Sequence, residues 1–294
     1  MTAEKRPPCS DQSLRRNDPI FGTAGAGKTW LLLELSGAWG HSAFLQSPAI
    51  IDPQLGRAVV RRAEAARMRI TAIRRHGRRS ATPRWRWFVA HCEPGAEALY
   101  RGEVDGPADY LELALDGSDG ERTADPLVAV CAHGKHDQCC AKRGRAAVGA
   151  IAAEYPEITW ECSHLGGDRF AATMLVLPEG LCYGRVDTTD SARLVRWYLD
   201  GRIDDRFLRG RTCLPHAVQA AQHFARQTYG DDRVTGLPPL RVDTEDAGTL
   251  VVLDHEDGPI EVRLTEQMSA PLLSQCAAHV PGPVRLFTLA SIRR

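Results

Sequence analysis

Residues 127–162 constrain the fold more tightly than any other stretch. Residues 127–130 form a short, continuous apolar run and read as a buried strand. Residues 141–154 read as an Ala-rich helix with Val148, Ile151 and Ala152 on one face, and Pro156 stops it. Residues 158–162 read as a second strand. A strand–helix–strand crossover is right-handed, so the two strands lie parallel. The loops that follow them, 131–140 and 163–169, then emerge at the same carboxyl edge of the sheet. Residues 171–177 and 181–186 read as a hairpin around Pro178, Glu179 and Gly180. Asp190 reads as the cap of a helix through Leu199, and 217–227 as a further helix. Strand, helix, strand, hairpin, helix is the thioredoxin-like order.

The chain around this unit is long enough for more than one domain, with 294 residues. The sequence divides into a polar lead-in over 1–20, expected to be flexible, an N-terminal α/β unit over 21–120 and the thioredoxin-like unit over 121–235. A β-rich extension over 236–294 completes it. In the first unit, 30–35, 68–73, 85–90 and 110–115 read as strands and 57–66 as a helix. In the extension, 249–254 and 260–264 read as a hairpin. The expected fold class is therefore α/β. Hydrophobic residues make up 43% and charged residues 25%, which excludes disorder, collagen and coiled coil as the main state. Lys plus Arg equals Asp plus Glu, 37 each, so the chain lacks the basic excess of a dedicated nucleic-acid or membrane binder. No stretch has the length of a membrane span, and the N-terminal residues lack a secretory apolar core. The chain reads as cytoplasmic.

Nine cysteines in a reducing compartment point to metal ligands or redox thiols rather than disulfides. The loop 131–140 carries Cys131, Cys139, Cys140, His133 and His136 within ten residues, and the next carries Cys162, His164 and Asp168. Thiolates and imidazoles from two loops at one sheet edge suit zinc or an iron–sulfur cluster, not calcium or magnesium. Gly166 and Gly167 let the backbone turn closely around an inorganic core. His133 and His136 read as outer or exposed residues. Cys92, Cys182 and Cys213 read as small buried hydrophobes. Cys139 and Cys140 together also admit a thiol oxidoreductase, although a thioredoxin-type pair has two residues between its cysteines.

Three segments carry a resemblance. CAHGKHDQCCAKRGRAA, WECSHLGGDRFAATMLVLPEGLCYGRVD and GTAGAGKTWLLLELSGAWG are similar to the sucrase/ferredoxin-like family. The resemblance runs from about Cys9 to about Gly230 and is sharpest in the second unit. It implies a thioredoxin-like ferredoxin domain. Characterised eukaryotic relatives hold a [2Fe-2S] cluster with two Cys nine positions apart and two His in an H-x-x-x-H motif. Carried over, these positions are Cys131, Cys140, His164 and, where the second His stands in the family, Asp168. The resemblance thus implies an electron-transfer or redox-sensing protein rather than a stand-alone enzyme. Cys139, Cys162 or His133 is an alternative fourth ligand, and structural zinc an alternative to iron.

Two further features need a reading. Gly22 to Thr29 fits the phosphate-loop pattern G-x-x-x-x-G-K-[ST]. It lacks a buried strand before it and a full helix after it, so nucleotide binding is not expected. Residues 57–86 hold eleven Arg against Glu64 alone. They read as a solvated helix face and an Arg-rich edge strand, and as a possible dock for an acidic redox partner. Nucleic acid is the weaker alternative. No G-x-S-x-G or H-E-x-x-H motif is present.

Overall fold

The computed structural model of the chain describes residues 6–77, 83–245 and 248–294. Its first elements are α1 (Cys9–Arg15), β1 (Thr29–Glu34), α2 (Pro53–Ala65), β2 (Arg69–Arg74), β3 (Trp85–His91), β4 (Ala98–Val104), β5 (Glu121–Thr123) and β6 (Leu127–Cys131). Then follow α3 (Arg145–Glu154), β7 (Thr159–Cys162), β8 (Met174–Leu177), β9 (Leu181–Tyr183), α4 (Ser191–Leu199), β10 (Leu208–Arg211) and α5 (His216–Tyr229). The last are β11 (Pro239–Glu245), β12 (Gly248–Leu253), β13 (Ile260–Met268) and β14 (Arg285–Arg293).

Ten strands form one mixed sheet in the order β10-β9-β8-β6-β7-β2-β1-β3-β4-β5, and β11 to β14 form a separate antiparallel sheet. The fold is α/β, as the sequence implies. β6 and β7 are parallel and joined through α3, while β8 lies antiparallel to β6 and β9 to β8. This is the thioredoxin-like unit. The strands of 21–120 do not form a sheet of their own. β2 pairs antiparallel with β7 through Ile73 opposite Cys162 and Arg74 opposite Glu161, so both units share one sheet.

The apolar run of β1 follows from its central place, since a strand covered on both faces has no polar side. Leu31, Leu33 and Leu35 meet Val59 and Ala63 of α2 with Trp39 and Phe44. Trp30 and Leu32 point to the opposite layer, where α5 packs. β6 divides in the same way: Val128 and Val130 face Val148 and Ile151 of α3, and Ala129 and Cys131 face the other layer. α5 lies between β10 and the four-stranded sheet and packs on β12, β13 and β14.

Several expectations are corrected. The lead-in 1–20 is not simply flexible: α1 folds within it and buries Cys9, Ser10 and Ser13, while residues 1–5 lie outside the described residues. Residues 110–115 are not a strand. Pro107 opens a 3-10 turn over Pro107–Leu111, which sends the Tyr110 hydroxyl to the carbonyls of Glu34 and Arg86. α2 begins earlier than expected because Asp52 accepts the backbone N–H groups of Gln54 and Leu55 and Pro53 fits the first turn. The Arg-rich strand is not an edge strand: β2 lies between β7 and β1. Arg78 and Arg79 of that run lie outside the described residues. Among the described residues, no helix is long and apolar enough to cross a membrane.

Gly22 to Lys28 leads into β1 rather than a helix. Its amides have protein partners: Thr23 donates to the Arg209 carbonyl, Gly27 to the Thr212 carbonyl and Ala24 to Gln219 Oε1.

Candidate metal centre

β6 and β7 end side by side, with Cys131 opposite Cys162 in parallel register. The chain leaves Cys131, turns through His133 and His136, and re-enters helix at Cys139. The first turn is wide, a π-helical segment over Cys140–Gly144. Gly144 is seated directly on the Cys131 carbonyl, and a Cβ there would lie 1.9 Å from its oxygen. This close seat brings Cys140 back over the end of β6.

The second loop is held at both ends. At its root Ser163 donates its N–H to the Ala72 carbonyl, and its hydroxyl accepts the Ala72 N–H and pairs with Thr71 Oγ1 at 2.8 Å. At its turn Gly166 and Gly167 take φ of 89° and 83°, a region that favours glycine. Arg209 reaches across from β10 and donates to the Gly166 carbonyl at 2.8 Å. The loop thus delivers His164 and Asp168 towards the thiols.

The structure brings Cys131, Cys140, His164 and Asp168 together. The Cys140 thiol donates to Asp168 Oδ1 at 3.4 Å, and His164 Nδ1 lies 3.1 Å from the same oxygen. The Cys131 thiol is near enough to Cys140 and His164 for both to act on it. Cys131, Cys140 and Asp168 are each at most 2% exposed. His164 and His136 are partly exposed and close the site on the solvent side.

Electrostatics follow from these contacts. Cys140 is the main influence on Cys131, and with His164 it outweighs burial and lowers that thiol to about 6. Cys140 is pushed up, first by Cys131 and then by burial. Burial alone would lower His164, but Asp168 and Cys131 overcome it and raise the imidazole to about 9. Burial likewise opposes ionisation of Asp168, and His164 and His136 hold its carboxyl below the usual range.

The site is nevertheless incompletely satisfied. His133 Nδ1, His136 Nε2 and Asp168 Oδ2 are buried and accept or donate no hydrogen bond, and His164 Nδ1, though 3.1 Å from Asp168 Oδ1, is not aligned for one. Most buried polar atoms have one. Orphaned nitrogens and a carboxylate oxygen beside two thiols are the donor pattern of a metal centre, and His136, His164 and Asp168 are placed to share one ion.

The remaining candidates separate. His133 is buried and its Nε2 lies 2.7 Å from the Gly40 carbonyl. Cys162 is buried among apolar groups, which push its thiol well above its ordinary value. Cys139 does not join Cys140: consecutive residues on a helical turn diverge, and its sulfur turns to Cys9 and Cys276. The two adjacent thiols therefore belong to different clusters, which removes the geometric basis for a Cys139–Cys140 dithiol. Cys92, Cys182 and Cys213 are buried, as expected. The sequence underrates His136. Its ring stacks on His164 at 3.8 Å, and its Nε2 lies 3.7 Å from Asp168 Oδ2. Its membership of the same Cys/His loop was the available signal.

The arginines are also more internal than a solvated face. Arg74 pairs with Glu161 and covers Trp39, and Arg75 covers Trp160 while donating to the carbonyls of Pro156, Glu157 and Thr159. Arg57, Arg61, Arg67 and Arg69 remain exposed.

A family model described as sucrase/ferredoxin-like matches residues 20–210, a span that contains both loops of the site. No curated protein matches the chain, and no solved structure does.

Proposed function

The chain belongs to the sucrase/ferredoxin-like family, and from that premise we propose that it carries a [2Fe-2S] cluster and transfers or senses single electrons. The observation that carries this reading is the convergence of Cys131, Cys140, His164 and Asp168 with buried donor atoms left unpartnered. Two thiols, an imidazole and a carboxylate fit such a group, with an oxygen donor from Asp168 in the place of a second imidazole. When bound, the cluster supplies a one-electron couple. The protein residues do the rest. Cys131 and Cys140, both buried, would hold the group. His164 and Asp168 would hold it from the loop, with His164 Nδ1 3.1 Å from Asp168 Oδ1. His136 stacks on His164 and limits water at the mouth of the site. Ser163 and Arg209 fix the loop that bears them.

An acidic redox partner meets exposed guanidiniums at Arg57, Arg61 and Arg67, a charge-steered encounter of the kind electron carriers use. A cysteine-rich chain whose thiols gather in clusters suits a reducing, cytoplasmic setting.

The test is an absorbance spectrum with metal analysis on protein purified without oxygen. Visible bands that bleach with dithionite, at about two irons per chain, are expected. Cys131→Ala and Cys140→Ala are expected to lose most of the iron, and His164→Ala and Asp168→Ala to lose part of it. A colourless protein that takes up no iron on reconstitution overturns the reading. Zinc bound by these same four residues points instead to a structural centre.

Asp168→His is expected to raise the reduction potential, because a neutral imidazole in the place of a carboxylate favours the more negative, reduced state. A redox titration against dyes of known potential reads the shift. A lower potential in the variant argues against Asp168 as a ligand.

A further inference from the structure

A second thiol cluster lies apart from the first. Cys9 on α1, Cys139 at the start of the wide helical turn and Cys276 in the 269–284 segment turn their sulfurs towards one point. The three sulfur separations are 3.2 Å for Cys139–Cys276, 3.5 Å for Cys9–Cys276 and 3.7 Å for Cys9–Cys139. Asp137 completes the group. Its Oδ1 accepts the Cys139 N–H at 2.8 Å, and its Oδ2 accepts the Cys276 N–H at 2.8 Å and lies 3.9 Å from Cys9 Sγ. Further donors are aimed at the sulfurs: the Cys9 N–H points to Cys276 Sγ at 3.4 Å, and the Ser10 hydroxyl to Cys139 Sγ at 3.3 Å.

These distances discriminate between chemistries. A disulfide needs sulfurs about 2.05 Å apart, and a third thiol has no place in one. Tetrahedral zinc with bonds of about 2.3 Å sets its sulfurs about 3.8 Å apart. The observed triangle is already close to that size, and a carboxylate oxygen stands beside it as a fourth donor. The backbone and hydroxyl donors aimed at the sulfurs stabilise thiolates, as outer hydrogen bonds do around metal ligands. Arg6 donates to the Cys276 carbonyl and ties the N-terminal segment to the cluster.

We propose that Cys9, Cys139, Cys276 and Asp137 bind one zinc ion, which fastens α1 and the 269–284 segment to the loop that supplies Cys140. Binding releases the three thiol protons and leaves Asp137 as carboxylate. The role is structural. The 269–284 segment has no strand, and its one bridge pairs Leu272 with Gly282. Cys276 is its anchor. Cys9 and Cys276 lie outside the 20–210 span that the family match covers, so this site does not follow from that match.

Purified under reducing conditions, the full chain is expected to hold about one zinc per chain that is separate from any iron. Cys9→Ser and Cys276→Ser are expected to lose that zinc and keep iron and visible absorbance. Cys131→Ala is expected to lose iron and keep zinc, which separates failure of this site from failure of the cluster. Asp137→Asn is expected to weaken zinc at least tenfold in competition with a chromophoric chelator. Should the serine variants not fold, zinc and cobalt(II) titrations of the metal-stripped wild-type chain decide alone. Cobalt is expected to give tetrahedral thiolate bands, displaced by one equivalent of zinc. The proposal is overturned by a wild-type chain that takes up no zinc, by zinc that persists in Cys9→Ser and Cys276→Ser, or by a Cys139–Cys276 disulfide in the protein as purified.

Discussion

Replacing Trp160 with alanine is expected to destabilise the protein by about 3–5 kcal/mol. The indole is 1% exposed and lies on β7, beside the line where the two halves of the sheet meet. Phe88 meets it edge-on at 5.5 Å and 73°, and the Arg75 guanidinium covers its face at 3.8 Å. Truncation opens a cavity that neither strand can close, because β7 is hydrogen-bonded on both sides. It also takes the aromatic face from Arg75, a cation that burial already disfavours. Denaturant unfolding measures the effect as a lower midpoint with an unchanged slope. Trp160→Phe is expected to recover most of the loss. A cost under about 1 kcal/mol for the alanine variant contradicts a packed junction.

Gly144→Ala is expected to cost about 3 kcal/mol or more and to remove most of the iron. The added methyl would lie 1.9 Å from the Cys131 oxygen and 2.9 Å from its carbonyl carbon. Both are backbone atoms of a strand fixed by the Cys131 N–H on the Thr173 carbonyl and by register with β7. The wide helical turn has to move instead, and Cys140 moves with it. Gly149→Ala on α3 is the control. Its methyl meets His76 Nε2 at an ordinary 3.4 Å, and helix propensity alone favours it by about 0.5–1 kcal/mol. Thermal melts and iron analysis on the two variants read the contrast. Equal behaviour of the pair would show that the helix is free to slide over Cys131.

The parts of the fold legible in the sequence are those whose burial is written in local pattern. β1, β2, β3, β6 and β7 announce themselves as apolar or alternating runs, and the crossover through α3 fixes two loop mouths at one edge. That is why the two ligand-bearing loops could be set together from the sequence, while the choice of Cys131, Cys140, His164 and Asp168 within them rests on the family resemblance. What depends on distant partners was not legible. The heptapeptide of α1, CSDQSLR, is polar, yet its Cys9, Ser10 and Ser13 are buried, with Cys9 packed against Cys139 and Cys276. β10 reads Leu-Arg-Gly-Arg and is buried throughout. Arg209 and Arg211 use their guanidiniums on the Gly166 and Glu179 carbonyls and on Glu97. The alternation at 110–115 misled because Pro107 had already turned the chain. Cys9 and Cys276 stand 267 positions apart, a separation that carries no spacing signal.

The pairing of β2 with β7 also governs how the protein meets other copies of itself. A strand with a bare flank offers unpaired peptide groups to any passing chain, and β7 would be such a template if uncovered. β2 occupies that flank. The terminal strands of the ten-stranded sheet are β5 and β10, and β10 is already covered by the 22–27 segment, which donates to the Arg209 and Thr212 carbonyls. β5 is only Glu121–Thr123, with its two charged residues exposed, and β10 carries a shift of register between Leu208 and Gly210. Short, charged or irregular rims recruit foreign strands poorly. The N-terminal unit thus gives the ligand loops more than support: it keeps the strand that carries one of them out of reach of self-assembly.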